Sequence, residues 1–354
     1  MNSIAIWYEQ NGNAPGNRPE LDLHINHWKL KFNRSFWVRK LRSLSTKTIG
    51  RKWERFVFQN SDYFMDLGLK IKNGENVESV CIYVPNKFTD KKKLVADLGT
   101  RLSDKRLITA VFNEPYNTTT VTDGKYFSVI ENSIPLFNIY MLDIDCDINI
   151  ENKYHGTIIK FPFKIFNNLP TYYRFRLKAP FVNNLSYFFK PSNSFLESVY
   201  SSIEIIDFRI NDTRNLDVSL IEHINEQQKF NLALVHYFVM RNVKDEYVVS
   251  NQNMNGVRQL EDKTWTSYID DSEYLYEKSF AYHLKRKASE IERSDKRFID
   301  EFSAVLKFRF EDGKLVRYIV FAIILAMLTE VFGNGLYDLC KPYLLNIYHF
   351  VIGH

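Results

Sequence analysis

From Glu20 to Phe32, the sequence ELDLHINHWKLKF sets Leu21, Leu23 and Ile25, then Trp28, Leu30 and Phe32, on alternate positions, the period-2 pattern of half-buried strands. The phase changes once, between Ile25 and Trp28, which predicts a strand pair or one bulged strand. Comparable runs predict strands over Val77–Val84, Arg106–Phe112, Phe137–Asp145, Gly156–Phe163, Thr171–Ala179, Ser202–Ile210 and Phe230–Met240. Helical spacing is rarer. It predicts a short helix over Lys91–Leu98, opened by Thr89-Asp90, and a charged helical stalk over about Glu273–Lys307. The pattern therefore predicts a mainly β, or α+β, protein: a β-sandwich-like domain, then a helical stalk, then a C-terminal apolar segment. The expected divisions are residues 1–272, 273–315 and 316–354, with a weaker sub-boundary at 150–155, where ENKYHG separates two strand-rich halves.

The most apolar window is Ile319–Leu328, IVFAIILAML, and between Tyr318 and Tyr337 the only formal charge is Glu330. As a helix, the span from Tyr318 to Tyr337 would be roughly 28 Å long, close to the hydrocarbon thickness of a bilayer. Nine strongly apolar residues contribute roughly −3 to −5 kcal/mol to insertion, against at most ~3 kcal/mol opposing it from Glu330. A helix this marginal is better packed against copies of itself, which predicts a homo-oligomer with Glu330 and Asn334 lining a shared polar interior. Lys307, Arg309, Lys314 and Arg317 precede the segment and only Lys341 follows it, placing the large domain in the cytoplasm and the anchor in the inner membrane. Two other readings stay open: a core helix ended by Gly333-Asn334-Gly335, and a hairpin in which Leu336–Ile352 returns as an interfacial helix.

Composition sharpens the β reading, since 28 Phe and 21 Tyr stand beside only 13 Gly. Cys81, Cys146 and Cys340 are an odd number, far apart, without metal-ligand spacing, which points to reduced thiols and no zinc site. The N-terminus carries neither a basic n-region nor an apolar h-region, so no secretory signal is expected.

The net charge of +5 matters less than where it lies. Between Trp28 and Arg55, ten basic residues (Lys29, Lys31, Arg34, Arg39, Lys40, Arg42, Lys47, Arg51, Lys52 and Arg55) face Glu54 alone, a local +9. Trp28, Phe32, Phe36, Trp37 and Trp53 are interleaved with them. Phosphate neutralisation combined with base stacking is how single-stranded nucleic acid is held without sequence readout. A solvated basic face and adhesion to anionic lipid are the alternatives. In YYRFRLK, Arg174 and Arg176 alternate with aromatics, share one strand face, and would extend a binding groove.

Candidate chemistry is thin. Asp143, Asp145 and Asp147 in LDIDCDI would share one face of a strand, as divalent-metal phosphoryl-transfer sites require, but a solvent-facing strand end explains them better. His24 and His27 lie on opposite faces of a strand, and His236 within FNLALVHYFVM reads as a satisfied core histidine. Neither an enzyme nor a cofactor or metal is expected.

The layout, a large domain followed by IVFAIILAML and its Glu330, resembles the membrane effectors of bacterial anti-phage systems, of the cyclic-oligonucleotide and Hailong types. That resemblance implies a sensor for a nucleotide or DNA oligomer made by a partner nucleotidyltransferase, an oligomeric pore, and membrane leakage when the gate opens. In the Hailong-like case the implied ligand is single-stranded DNA. The alternative is a soluble nucleic-acid-binding or interaction protein with a C-terminal oligomerisation helix.

Overall fold

The computed structural model describes residues 3–11, 18–33, 61–178, 180–190, 201–288, 298–311, 323–330 and 340–341. The chain divides into two compact units, Met1–Tyr187 with Ile205–Phe308, and Phe188–Glu204 with Arg309–His354. The protein is mainly β, as the alternation predicts.

Its strands form three sheets. The largest runs β16 (Met254–Gln259), β18 (Ser279–Lys287), β14 (Asn231–Asn242), β2 (Glu20–Phe32), β3 (Ser61–Lys72), β11 (Thr171–Leu177), β8 (Ile134–Tyr140), β7 (Tyr126–Glu131) and β6 (Asn117–Thr118). Two short strands join it, β17 (Tyr274–Leu275) on β2 and β5 (Val95–Asp97) on β11. A second sheet is ordered β1 (Ala5–Gln10), β4 (Val77–Val84), β10 (Gly156–Pro162), β9 (Asn149–Lys153). The third is ordered β12 (Ser186–Phe189), β13 (Ser201–Ile210), β19 (Phe302–Glu311), β15 (Glu246–Ser250).

One face of the large sheet builds the main core. Leu21, Leu23 and Ile25 of β2, Leu67 and Leu69 of β3, Tyr173 and Phe175 of β11, and Val235 and Tyr237 of β14 cluster with Ile82 of β4, Phe161 of β10, Phe208 of β13 and Leu306 of β19. This is sheet-on-sheet packing, in which alternate side chains leave water and supply the dominant favourable term. Among the described residues the α-helices of the main unit are α1 (Lys91–Leu94), α2 (Lys105–Phe112), α3 (Pro180–Asn184), α4 (Val218–Glu226) and α5 (Asp262–Ile269), and of these α2 and α5 cap the opposite face, supplying Leu107, Ile108, Trp265 and Tyr268 to a second core with Trp28 and Phe64.

β2 is a single strand that pairs with β3 residue for residue from Glu20↔Lys72 to Lys31↔Ser61, without a bulge. The phase change at Trp28 reports a change of cover: Leu21, Leu23 and Ile25 enter the main core, whereas Trp28 and Leu30 on the other face enter the helix-capped one.

Four expectations need correction. The predicted stalk is not helical where it is described: Ser279–Lys287 and Phe302–Glu311 are strands, and Phe302, Ala304, Leu306 and Phe308 alternate into the core. Arg106–Phe112 is helix rather than strand, because Asp104 caps it by accepting from the Arg106 N–H and Asn113 ends it in the left-handed region at φ 58°. The helix at Lys91 stops at Leu94, where Val95–Asp97 turns to pair with β11. Residues 150–155 are no boundary but part of a hairpin, with Tyr154 and His155 at φ 51° and 62° forming the two-residue turn between β9 and β10.

Candidate functional site

On the helix-capped face, residues from neighbouring strands fall into rows across the sheet. The pairings Arg174↔Gly68, His24↔Gly68, His236↔His24 and His236↔Lys285 make one row. Arg176↔Asp66, Asn26↔Asp66, Phe238↔Asn26 and Phe238↔His283 make the next. Chemistry in these rows follows from which side chains meet, not from their spacing in sequence.

At one end the rows form a closed polar interior. Arg176 donates from Nε to Asp66 Oδ1 at 2.7 Å and from Nη2 to Asp66 Oδ2 at 3.2 Å, and Trp28 Nε1 donates to the same Oδ2 at 2.8 Å. Arg174 donates from Nε to the Tyr268 hydroxyl at 3.1 Å and from Nη1 to the Tyr172 hydroxyl at 3.1 Å, and the Asn26 amide oxygen, turned towards it, accepts from Nη2 at 2.6 Å. Burial opposes the charge on both guanidiniums, yet Asp66 and the tyrosine oxygens outweigh it and hold each above the usual arginine range. Gly68 makes room for this crossing: a Cβ there would lie 2.0 Å from the Tyr172 hydroxyl oxygen and 2.9 Å from Arg174 Nη1.

Arg174 and Arg176 are therefore interior residues, 1% and 3% exposed, and do not extend a surface groove as the YYRFRLK alternation suggests. β11 is flanked on both edges and covered on both faces, so its arginines are hydrogen-bonded inside rather than presented to a ligand. Trp28 is likewise buried, packed on Trp265 with ring centroids 5.5 Å apart, and offers no platform for a base.

At the other end the rows are half-buried and aromatic. His236 Nδ1 and His283 Nε2 share a hydrogen bond at 2.9 Å. The Phe238 ring stacks on His283 with centroids 4.2 Å apart, and the His24 ring stands edge-on to His236 at 5.0 Å. Phe112 at the end of α2 packs against His24 and Tyr172. Burial and the neighbouring cations keep these histidines neutral, with His236 and His283 pushed down to about 4 and His24 well below its usual value. Sequence reasoning read His236 as a plain core residue and passed over His283, Lys70, Phe238 and Lys285. Only strand register brings them together.

The remaining expected site residues are placed as follows. Lys29 lies over the Tyr63 ring at 5.7 Å, and Lys31 is exposed at the end of β2, paired with Glu277 at 2.8 Å. Arg34, Trp37, Arg39, Lys40, Arg42, Arg51, Lys52, Trp53 and Arg55 lie outside the described residues, as does Asn334. Glu330 is the last described residue of the helical run 323–330 and is exposed. Asp143, Asp145 and Asp147 sit in a turn rather than on one strand face: Asp143 Oδ1 accepts from the Asp145 N–H, Asp147 Oδ2 accepts from the Asp143 N–H, and Lys92 pairs with Asp145 at 2.8 Å. These carboxylates close a loop on themselves. His27 faces away from His24, with its Nδ1 2.9 Å from the Tyr237 hydroxyl. Among the described residues, no group of three or more His, Cys, Asp or Glu is arranged to hold a metal ion. Compared with known protein families and with curated proteins, the chain matches none.

Proposed function

We propose that this chain is a membrane-attached, ligand-gated effector, in which the β domain senses an anionic ligand of the nucleotide class and the C-terminal segment assembles in the inner membrane. The observation that carries the reading is the helix over residues 323–330. Ile323, Ile324, Leu325, Met327 and Leu328 are all about half exposed or more, with Met327 at 62%, so apolar side chains stand out all round the helix. Among the described residues no helix is long and apolar enough to cross a membrane, and the flanking residues 312–322 and 331–339 lie outside them. An apolar helix bare on every side needs a cover of comparable polarity. Lipid supplies one, and the basic residues that precede the helix favour the orientation with the β domain in the cytoplasm.

The test compares the full-length chain, its Ile324→Lys/Leu325→Lys variant, and a chain ending at Gly313. The full-length chain is expected in carbonate-washed membranes and both altered chains in the soluble fraction. A soluble full-length chain would overturn membrane attachment and leave a second copy of the chain as the cover, which is the oligomerisation reading. If the full-length chain is retained, ion flux from liposomes with and without single-stranded oligonucleotide reads the gating directly.

A further inference from the structure

The ligand expected of this sensor needs a site, and of the residues that the sequence offers for it Arg174 and Arg176 are interior. We propose that the half-buried strip of the large sheet made by His236, Phe238 and His283, flanked by Lys70 and Lys285 and open over Gly256, binds a flat heteroaromatic ring bearing negative charge, the chemistry of a nucleotide. The inference rests on the sensor reading above and gives that sensor its binding surface.

Three observations carry it. The first is the ring stack. Phe238 and His283 lie within 11° of parallel, His236 and His283 within 16°, and His236 and Phe238 within 6°. All three are half-buried, so part of the stack meets solvent. A further planar ring extends such a stack irrespective of its sequence identity, as bases do on aromatic side chains.

The second is a surplus of positive charge. No carboxylate among the described residues lies within ion-pair distance of Lys70 or Lys285. Asp22, opposite Lys70 on β2, offsets part of the Lys70 charge but is itself paired with Lys72 at 2.7 Å. Arg174, buried behind His24, adds a charge whose direct hydrogen-bond partners are all neutral. Lys70 rests over the Phe137 ring at 4.2 Å, and burial pushes its ammonium below the usual lysine value. A phosphate would relieve that strain by supplying the missing anion, and neutral imidazoles present N–H donors to it. The same surplus argues against a metal ion, which three facing cations would repel.

The third is empty space. Gly256 on β16 pairs with His283, and a Cβ added there would meet no atom of the described residues within 4 Å. Among the described residues the stack is uncovered on this side, while on the other Phe112 packs against His24, the neighbour of His236.

The test uses the detergent-solubilised full-length chain and a fluorescein-labelled four-nucleotide DNA, read by anisotropy with ATP as competitor. Wild type is expected to bind, and His283→Ala and Lys285→Ala each to weaken binding roughly tenfold. Gly256→Trp grows into open space, so it should leave the thermal unfolding midpoint unchanged and weaken binding at least as much. Wild-type affinity in Gly256→Trp and His283→Ala would overturn the assignment and return the probe to the basic segment after β2. Absence of binding in wild type, or displacement by inorganic phosphate at the concentration at which ATP displaces the probe, would overturn ring recognition. Partition into membranes is scored on the same variants: lost binding with retained membrane attachment bears on this site alone, whereas a soluble wild-type chain removes the effector reading whatever the probe does.

Discussion

The two faces of the large sheet share every strand and every backbone hydrogen bond, yet they are held by different physics. On the apolar face, Leu23, Leu67, Phe175 and Val235 are interchangeable in kind: each contributes by leaving water, without regard to direction. On the helix-capped face, Asp66, Arg174, Arg176 and the three histidines must each meet a particular partner, because a buried polar group left alone costs more than its hydrogen bond returns. The first face supplies stability with tolerance. The second supplies a fixed arrangement of charge and rings, and function is built where arrangement matters.

The comparison is sharpest at Asp66. Asp66→Ala strands the buried Arg176 guanidinium and the Trp28 indole N–H, and is expected to cost about 3–5 kcal/mol in urea unfolding. Asp66→Leu combined with Arg176→Met removes both charges and should recover more than half of that loss. A single-variant cost below about 1 kcal/mol would mean that the polar face is not held by its pairs, and the contrast would fail. Next in size is Gly68→Ala, which drives a methyl group into the Tyr172 hydroxyl and Arg174 and should cost about 1–3 kcal/mol. Tyr172→Phe in that background removes the closest atom and should return part of it. An unchanged double variant would show that the crossing of Tyr172 and Arg174 over Gly68 is not what the glycine serves.

This division also explains what could be read from the sequence. Strands that feed the apolar face announce themselves by alternation: Glu20–Phe32 and Val77–Val84 have the bounds that the pattern predicts. Where a local cap competes with alternation the pattern misleads, as at Arg106–Phe112, whose Val and Ile content suggests a strand while Asp104 sets a helix. The supposed stalk fails for a related reason. Its charges Lys285, Arg286 and Lys287 follow Tyr282 and Leu284 at the end of a strand one place in from the sheet's edge, and in sequence such interleaved charge reads as a helix surface. The site was less legible still. Arg174 and Arg176 share a face, as expected, but alternation does not say which face is covered, and a strand buried on both sides turns apparent ligand contacts into interior hydrogen bonds and one ion pair. His236 and His283 are 47 residues apart and meet only because β14 and β18 pair in that register.

The smallest expected effect is also the cleanest control. Ile25→Val deletes one methylene from the apolar face and should cost about 0.5–1.5 kcal/mol. Because no charge is involved, the cost should be the same at pH 7.5 and pH 5.5. The wild-type protein should behave differently over that range. His236 and His283, pushed down to about 4 when folded, and His24, held well below its usual value, are faced by Lys70, Arg174 and Lys285. Between about pH 6.5 and 4 the unfolded chain binds more protons at these positions than the folded one, so stability falls as pH is lowered through that window and is unaffected by them above it. Replacing His236 and His283 with Gln should flatten this decline while leaving the Ile25→Val cost in place. A decline of equal steepness in the Gln variant would assign the acid sensitivity to carboxylates elsewhere, and a pH-dependent cost for Ile25→Val would show that the two faces are energetically coupled through the sheet rather than separable.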